Sequence, residues 1–212
     1  PNRGKLEQLF EAATERFGQD GYSETTMDSI AEEAGVSKGT LYYYFDSKEE
    51  LFLELLLNWI EKIEDRWDEV EGNGSPVEKL TRFHGTMVST VAETTSLGKL
   101  MLEFWANASR KKKLEEILNE MLKEYRTMVA ELIDRGKEQG TFRQVDSWKA
   151  SSALLAAYDG LWFHWLLDPG SFDLEEAGRE LITNFIRGLG KRDYKYEQYK
   201  EGTIDDRAQR AD

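Results

Sequence analysis

Between Gly35 and Phe45 the chain reads Gly-Val-Ser-Lys-Gly-Thr-Leu-Tyr-Tyr-Tyr-Phe. This is an odd stretch for a helix. Gly39 stands where a helix favours alanine. Leu41 and Phe45 are four apart and can share a buried face. Tyr42, Tyr43 and Tyr44 are consecutive, and at about 100° per residue they cannot all follow that face inward. Some phenols must therefore be presented to something polar. Beside them, Lys38 supplies an ammonium, and Ser37 and Thr40 supply hydroxyls. Together these are the donors that engage phosphate oxygens and the edges of bases.

Other chemistry is thinly represented. There are two histidines, His84 and His164. His164 and Asp168 are four apart, but no third metal ligand follows at helical spacing, and the reading is no metal. Gly-x-Ser-x-Gly, His-Glu-x-x-His and a phosphate loop are all missing, so catalysis is the weakest expectation and no cofactor is expected. The chain has no cysteine, which removes disulfides and thiolate ligands and fits a reducing cytoplasm.

The formal net charge is −13 over 212 residues. Residues 1–48 carry five cations (Arg3, Lys5, Arg16, Lys38, Lys48) against nine anions, a net of −4. Bulk charge thus opposes nucleic acid, whose non-specific affinity comes from Lys and Arg at phosphates. Any contact with DNA must come from local geometry. No signal peptide is expected, because the sequence as read runs straight into a polar amphipathic segment. The most apolar stretch, 153–167, is interrupted by Asp159 and His164 and is shorter than the roughly 20 residues of a membrane span.

The elements that hold these residues are helical. Leu6, Leu9, Phe10, Ala13 and Phe17 make one helical face, and 18–23 reads as a turn. Thr25 and Asp28, at capping-box spacing, open a second helix on Met27, Ile30, Ala31 and Ala34. Gly35-Val36-Ser37 turns into a third, Lys38 to about Phe45. Two short helices around a three-residue turn with glycine make a helix-turn-helix. Ser47-x-x-Glu50 starts a fourth helix, whose stripe Leu51, Leu55, Trp59, Ile63, Trp67, Val70 predicts more than five unbroken turns. After the loop 71–74, Ser75-Pro76-Val77-Glu78 starts a fifth, to about Thr95. A sixth is predicted over 97–109 and a seventh from Leu114 through Ile133, ended by Gly140. Asp146 caps an eighth to Leu167. Asp173 and Glu176 start a ninth along Ala177, Leu181, Phe185, Ile186 and Leu189. Residues 191–212 read as a polar tail. The expectation is an all-α chain of about nine helices, with a DNA-binding unit at 1–48, a ligand-binding and dimerisation unit at 49–190, and the tail.

The run TTMDSIAEEAGVSKGTLYYYFDSKEEL, 25–51, resembles the DNA-binding domain of the TetR family of transcriptional repressors. The turn, the Leu-Tyr-x-x-Phe run and the Lys-Glu-x-Leu start of the fourth helix all fall in register. The likeness covers about residues 5–52. It implies that Ser37, Lys38, Gly39, Thr40 and Tyr43 approach bases or nearby phosphates, and that Thr26, Tyr42, Tyr44 and Lys48 hold the DNA backbone. Where relatives often carry a basic residue near the start of the second helix, this chain has Asp28, which puts a base contact there in doubt. The resemblance further implies a homodimer on a palindromic double-stranded operator, repression, and release by a small-molecule effector enclosed by helices four to eight.

For that effector the residues offer an aromatic interior: Trp59, Phe83, Met87, Phe104, Trp105, Tyr125, Tyr158 and Trp162 lie on apolar helical faces. Such faces serve core packing as readily as ligand binding. Two ligand classes stay open. Aromatic faces near Glu103 or Asp159 suit an organic cation. An aromatic and aliphatic tunnel suits an acyl chain, and the segment 102–109 looks like sixth helices of TetR regulators of fatty-acid metabolism, which favours an acyl-CoA. Helices eight and nine are apolar on more than one side, and a helix of that kind has two partners. Leu154, Phe163, Leu166, Ile182, Phe185 and Leu189 are the expected dimer contacts.

Overall fold

The computed structural model describes residues 3–93, 98, 100, 102 and 111–191. Among them the secondary structure is helical: α1 Arg3–Glu24, α2 Met27–Glu33, α3 Lys38–Tyr44, α4 Lys48–Asp65, α5 Trp67–Glu71, α6 Pro76–Glu93, α7 Lys112–Glu138, α8 Ser147–Leu167 and α9 Leu174–Leu189. No helix is long and apolar enough to cross a membrane among the described residues. The expected sixth helix and the tail fall largely outside the described residues, and so do Phe104, Trp105 and Glu103.

Local rules set most helix starts. Ser37, Ser47, Asp146 and Asp173 each accept a hydrogen bond from the backbone N–H three residues on. Such a cap contributes about 1 kcal/mol by pairing one amide that the helix leaves free. Ser75 and Glu78 cap each other reciprocally. The cap of α2 is displaced by one residue from the expected Thr25. Thr26 and Ser29 form the capping box, while Thr25 is buried and its hydroxyl donates to the carbonyls of Gly21 (2.7 Å) or Arg16 (3.1 Å). The end of α1 bends at Gly21, whose φ of 78° lies in the left-handed region that glycine enters without penalty.

The unbroken fourth helix expected from its stripe is interrupted at Arg66. Charged side chains hold the turn that follows α5. The Glu71 carboxylate is held by the Arg135 guanidinium and by Lys79 at 2.9 Å. Arg82 donates to the carbonyls of Val70, Gly72 and Asn73, the free acceptors past α5. The Arg135 and Lys79 contacts hold the Glu71 carboxyl down at about 2 against the penalty of partial burial.

Helices α1–α3 pack together, and α1 also meets α4. Their shared core contains Leu9, Ala13, Phe17, Ile30, Leu41, Phe45, Leu51 and Phe52. Each large apolar side chain buried there contributes about 2 kcal/mol. Behind this unit α7 lies along α8, α9 bridges α6 and α8, and α4 meets α7. Helix α4 therefore belongs to both cores. The far ends of α7 and α9 are tied by an isolated bridge between Phe142 and Gly190 and by Arg143 N–H on the Leu189 carbonyl at 2.8 Å.

Candidate nucleic-acid interface and effector chamber

Helix α3 divides its residues sharply. Leu41 is 0% exposed and Phe45 is buried with it, which anchors the inner face. On the outer face Tyr43 is 80% exposed and Tyr42 is exposed as well. Tyr44 is half-buried between Tyr43 (ring centroids 5.3 Å apart) and Phe45 (6.3 Å). Ser37 caps the helix, and its hydroxyl lies 2.8 Å from that of Thr40. At Gly39 an added Cβ would meet only the Ser37 hydroxyl at 3.8 Å. Internal packing therefore does not require glycine here, although alanine would make a better helix by about 1 kcal/mol. A residue without a side chain at this place leaves room for something outside the protein.

Lys38 is held 2.7 Å from the Asp28 carboxylate, with both groups exposed. That hydrogen bond raises its pKa and keeps it cationic. The residue that departs from the expected pattern thus orients the one lysine at the tip of α3. Thr26 is exposed beside it, its side chain occupied by the α2 cap.

Lys48 is placed otherwise than expected. Its ammonium donates to the carbonyls of Tyr22 (2.6 Å), Ser23 (3.1 Å) and Thr25 (2.7 Å), and it lies 4.5 Å from the centre of the Tyr22 ring. Three donors are matched by three carbonyls, so in the free protein Lys48 fastens α4 to the α1–α2 turn instead of facing outward to a phosphate. On the same ring, 5.3 Å away, sits Lys111, which pairs with Glu49 at 2.8 Å. Sequence spacing gave no sign of this contact between the segment before α7 and the N-terminal unit. Lys79 and Lys111 are both ion-paired.

The C-terminal interior is aromatic but incompletely paired. Phe83 is buried edge-on to Trp67 and to Tyr158, each at 5.7 Å. His84 stacks on Tyr158 at 6.1 Å, and burial lowers its pKa so that it stays neutral. An added Cβ on Gly178 would stand 2.8 Å from the His84 ring, so glycine in α9 is what lets this imidazole in. Met87 is half-buried against the core. Trp59 Nε1, His84 Nδ1, Tyr125 Oη, Tyr158 Oη and Trp162 Nε1 are sealed from solvent and have no hydrogen-bond partner. Burial pushes the Tyr125 and Tyr158 hydroxyls well above the usual phenol range, so both are donors. Burial also raises the Asp159 carboxyl to about 6, against the opposing pull of Arg126.

The expected dimer contacts divide by burial. Leu154, Leu166, Ile182 and Leu189 are buried within the protomer, with 1–7% of their surface exposed. Helices α8 and α9 turn one apolar face to their own core, and these four lie on it. Phe163 and Phe185 remain half-buried. The surface of α8 shows Ala153, Ala156 and Leu167 instead, the last 77% exposed.

Comparison with known proteins places these features. Residues 9–55 match the model for bacterial regulatory proteins of the tetR family, and residues 76–191 match the C-terminal model of BetI-type transcriptional repressors. The HTH-type transcriptional regulator YhgD of Bacillus subtilis strain 168 is 28% identical over 89% of this chain and 97% of its own length. The fatty acid metabolism regulator protein of the same strain is 25% identical over 88% of this chain and 96% of its own. A transcriptional regulator from Saccharomonospora viridis, solved in complex with choline, superimposes with a TM-score of 0.81 at 24% identity, over 90% of this chain and 100% of that one. The chain belongs to the TetR family of bacterial transcriptional regulators, and α2–α3 is its helix-turn-helix.

Proposed function

We propose that this regulator is a homodimeric repressor that grips a palindromic double-stranded operator in the cytoplasm and lets go when a small amphipathic molecule enters its C-terminal chamber. The observation that carries the DNA reading is the division of α3. Leu41 and Phe45 lock the helix from within, while Ser37, Lys38, Gly39, Tyr42 and Tyr43 are exposed and Thr40 is half-buried. A second helix of this kind enters the major groove with its N-terminal residues at the bases. Most of its donors are neutral hydroxyls, which suits a protein of net charge −13. Phosphate-neutralising lysines are few, so affinity should fall gently with salt.

A C2 pair would bring two reading helices to one side of the duplex. The exposed apolar strip of α8, with half-buried Phe163 and Phe185 at its edge, supports pairing of α8 and α9 with their copies. Effector control would pass through α4. Its first turn is fastened to the reader by Lys48, and its body, Leu55, Leu56, Ile60 and Ile63, is part of the C-terminal core. A ligand that prefers one tilt of α4 shifts the spacing of the two readers, and it can do so only by binding the two states unequally. One relative is named for fatty acid metabolism and one solved neighbour holds choline, so an acyl chain and an organic cation are the two effector chemistries to compare.

Selection of bound duplexes from a random pool tests this reading. A palindromic consensus is expected, and replacing Lys38 or Tyr43 by alanine should weaken its binding at least tenfold. Recovery of no consensus, or undiminished binding by both variants, refutes it.

A further inference from the structure

Three consecutive lysines, Lys111 to Lys113, stand at the start of α7. For the helix alone this is a poor choice. The N-cap position calls for an oxygen that accepts from the free amides of the first turn, and an ammonium has none to offer. Positive charge is also disfavoured at the positive end of the helix dipole. Lys111 occupies the N-cap and makes no side-chain cap, unlike Ser37, Ser47, Asp146 and Asp173. Its side chain is employed elsewhere. The ammonium donates to the Glu49 carboxylate at 2.8 Å, 62 residues away in sequence, and lies 5.3 Å from the centre of the Tyr22 ring. Glu49 is in the first turn of α4. Tyr22 is near the end of α1, where Phe17 at 5.5 Å and Phe52 at 5.8 Å fix its ring against the reader's core. A local rule broken at the start of α7 and compensated by so distant a contact marks a residue placed for more than its own helix.

Helix α4 is the element shared by the two cores, and Lys48 ties its first turn to the carbonyls of Tyr22, Ser23 and Thr25. A unit carried on the end of one helix can swing about that end. A second contact away from the helix axis removes the swing. Lys111 makes that second contact: its ammonium shares the Tyr22 ring with that of Lys48, at 5.3 and 4.5 Å, and pairs with Glu49, the neighbour of Lys48. We infer that Lys111 is a positioning residue, which through Glu49 and Tyr22 fixes the angle of the reader on the C-terminal unit, and so the half-site spacing that a pair of readers accepts. The tether stands by itself, and only its consequence for spacing rests on the repressor reading. Its ion pair is partly exposed and adds little to stability. What it contributes is direction, because it joins two units that otherwise meet along α4.

The chain has no cysteine, so two spin labels can be attached at chosen places on the full chain. Labels at Glu11→Cys on α1 and Asn119→Cys on α7, both exposed positions, report the angle of the reader within one chain, with unlabelled protein in excess and no DNA present. Lys111→Ala should widen the distance distribution about twofold, as expected when one of two attachments is lost. Lys111→Arg, which keeps the cation, should leave it narrow. Equal widths in Lys111→Ala and the unaltered protein overturn the inference. On the selected operator, the preference for its own spacing over a duplex with two base pairs inserted between the half-sites should fall about fivefold in Lys111→Ala and in Glu49→Gln, the size that one ion pair and one cation–π contact supply. The slope of log affinity against log salt should stay unchanged in Lys111→Ala. A slope lowered by about 0.9 would make Lys111 a phosphate ligand and overturn the inference as well. A widened distribution with no recoverable operator would sink the repressor reading alone, and a recovered operator with an unwidened distribution would sink this inference alone.

Discussion

The reading unit and the chamber treat buried polar groups in opposite ways. In the reader, the buried Thr25 hydroxyl donates to one of the two carbonyls it reaches, and the half-buried Lys48 satisfies three carbonyls at once. Arg16 Nε is its one sealed polar atom without a partner among the described residues. In the chamber, five aromatic or imidazole atoms on α4, α6, α7 and α8 have none. A buried donor left unpaired costs about 1–3 kcal/mol. The reader closes its network because it must hold a fixed shape against DNA. In the C-terminal interior these five groups stay unpaired in the free protein.

The two lysines of the reader give the sharpest way to break this contrast. If Lys48 is a fastening, Lys48→Ala leaves three carbonyls short of a donor and should destabilise the protein by about 2 kcal/mol, read in denaturant unfolding. The salt dependence of operator binding should then be little changed. Lys38→Ala should do the reverse. Stability stays put, because its pair with Asp28 is exposed, while the slope of log affinity against log salt falls by about 0.9 for each phosphate no longer neutralised. Exchanged behaviour of the two variants would mean that the closed network of the reader has been misread.

A smaller effect concerns the joint between the regions. Glu71 has its pKa lowered from 4.5 to about 2 by Arg135 and Lys79. A depressed carboxyl adds stability that is fully present above its unfolded value and is lost as pH falls through the folded one. Stability should therefore drop between about pH 4.5 and 2, and Glu71→Gln should flatten that drop while costing about 1 kcal/mol at neutral pH, discounted for partial exposure. An acid limb of unchanged steepness in the variant would show that the break at Arg66 has another cause.

The sequence made some of this legible and not the rest, for physical reasons. The caps at Ser47, Ser75, Asp146 and Asp173 are contacts over three residues, which spacing alone reveals. The α2 cap was missed by one residue because Thr25 and Thr26 are chemically identical, and only tertiary burial decides which hydroxyl turns inward. The interruption after Asp65 was invisible because Glu71 finds Arg135 across 64 residues. Lys48 looked like a phosphate ligand because its carbonyl partners lie 23–26 residues back. Dimer contacts are hard to read for a related reason. A helix that is apolar all round shows that it has two partners, but not which face meets its own protomer, and Leu154, Leu166, Ile182 and Leu189 are buried within it.

The finest test compares two hydroxyls. Thr25→Val in the reader removes a buried donor whose acceptors, the carbonyls of Arg16 and Gly21, stay behind, so it should destabilise by about 1 kcal/mol. Tyr125→Phe in the chamber removes a buried hydroxyl that has nothing to bond, so the ligand-free protein should be unchanged or more stable by up to about 1 kcal/mol. A loss in the ligand-free Phe variant equal to that of Thr25→Val would show that Tyr125 is already satisfied. The asymmetry between the two halves would then be one of packing and not of unpaired groups.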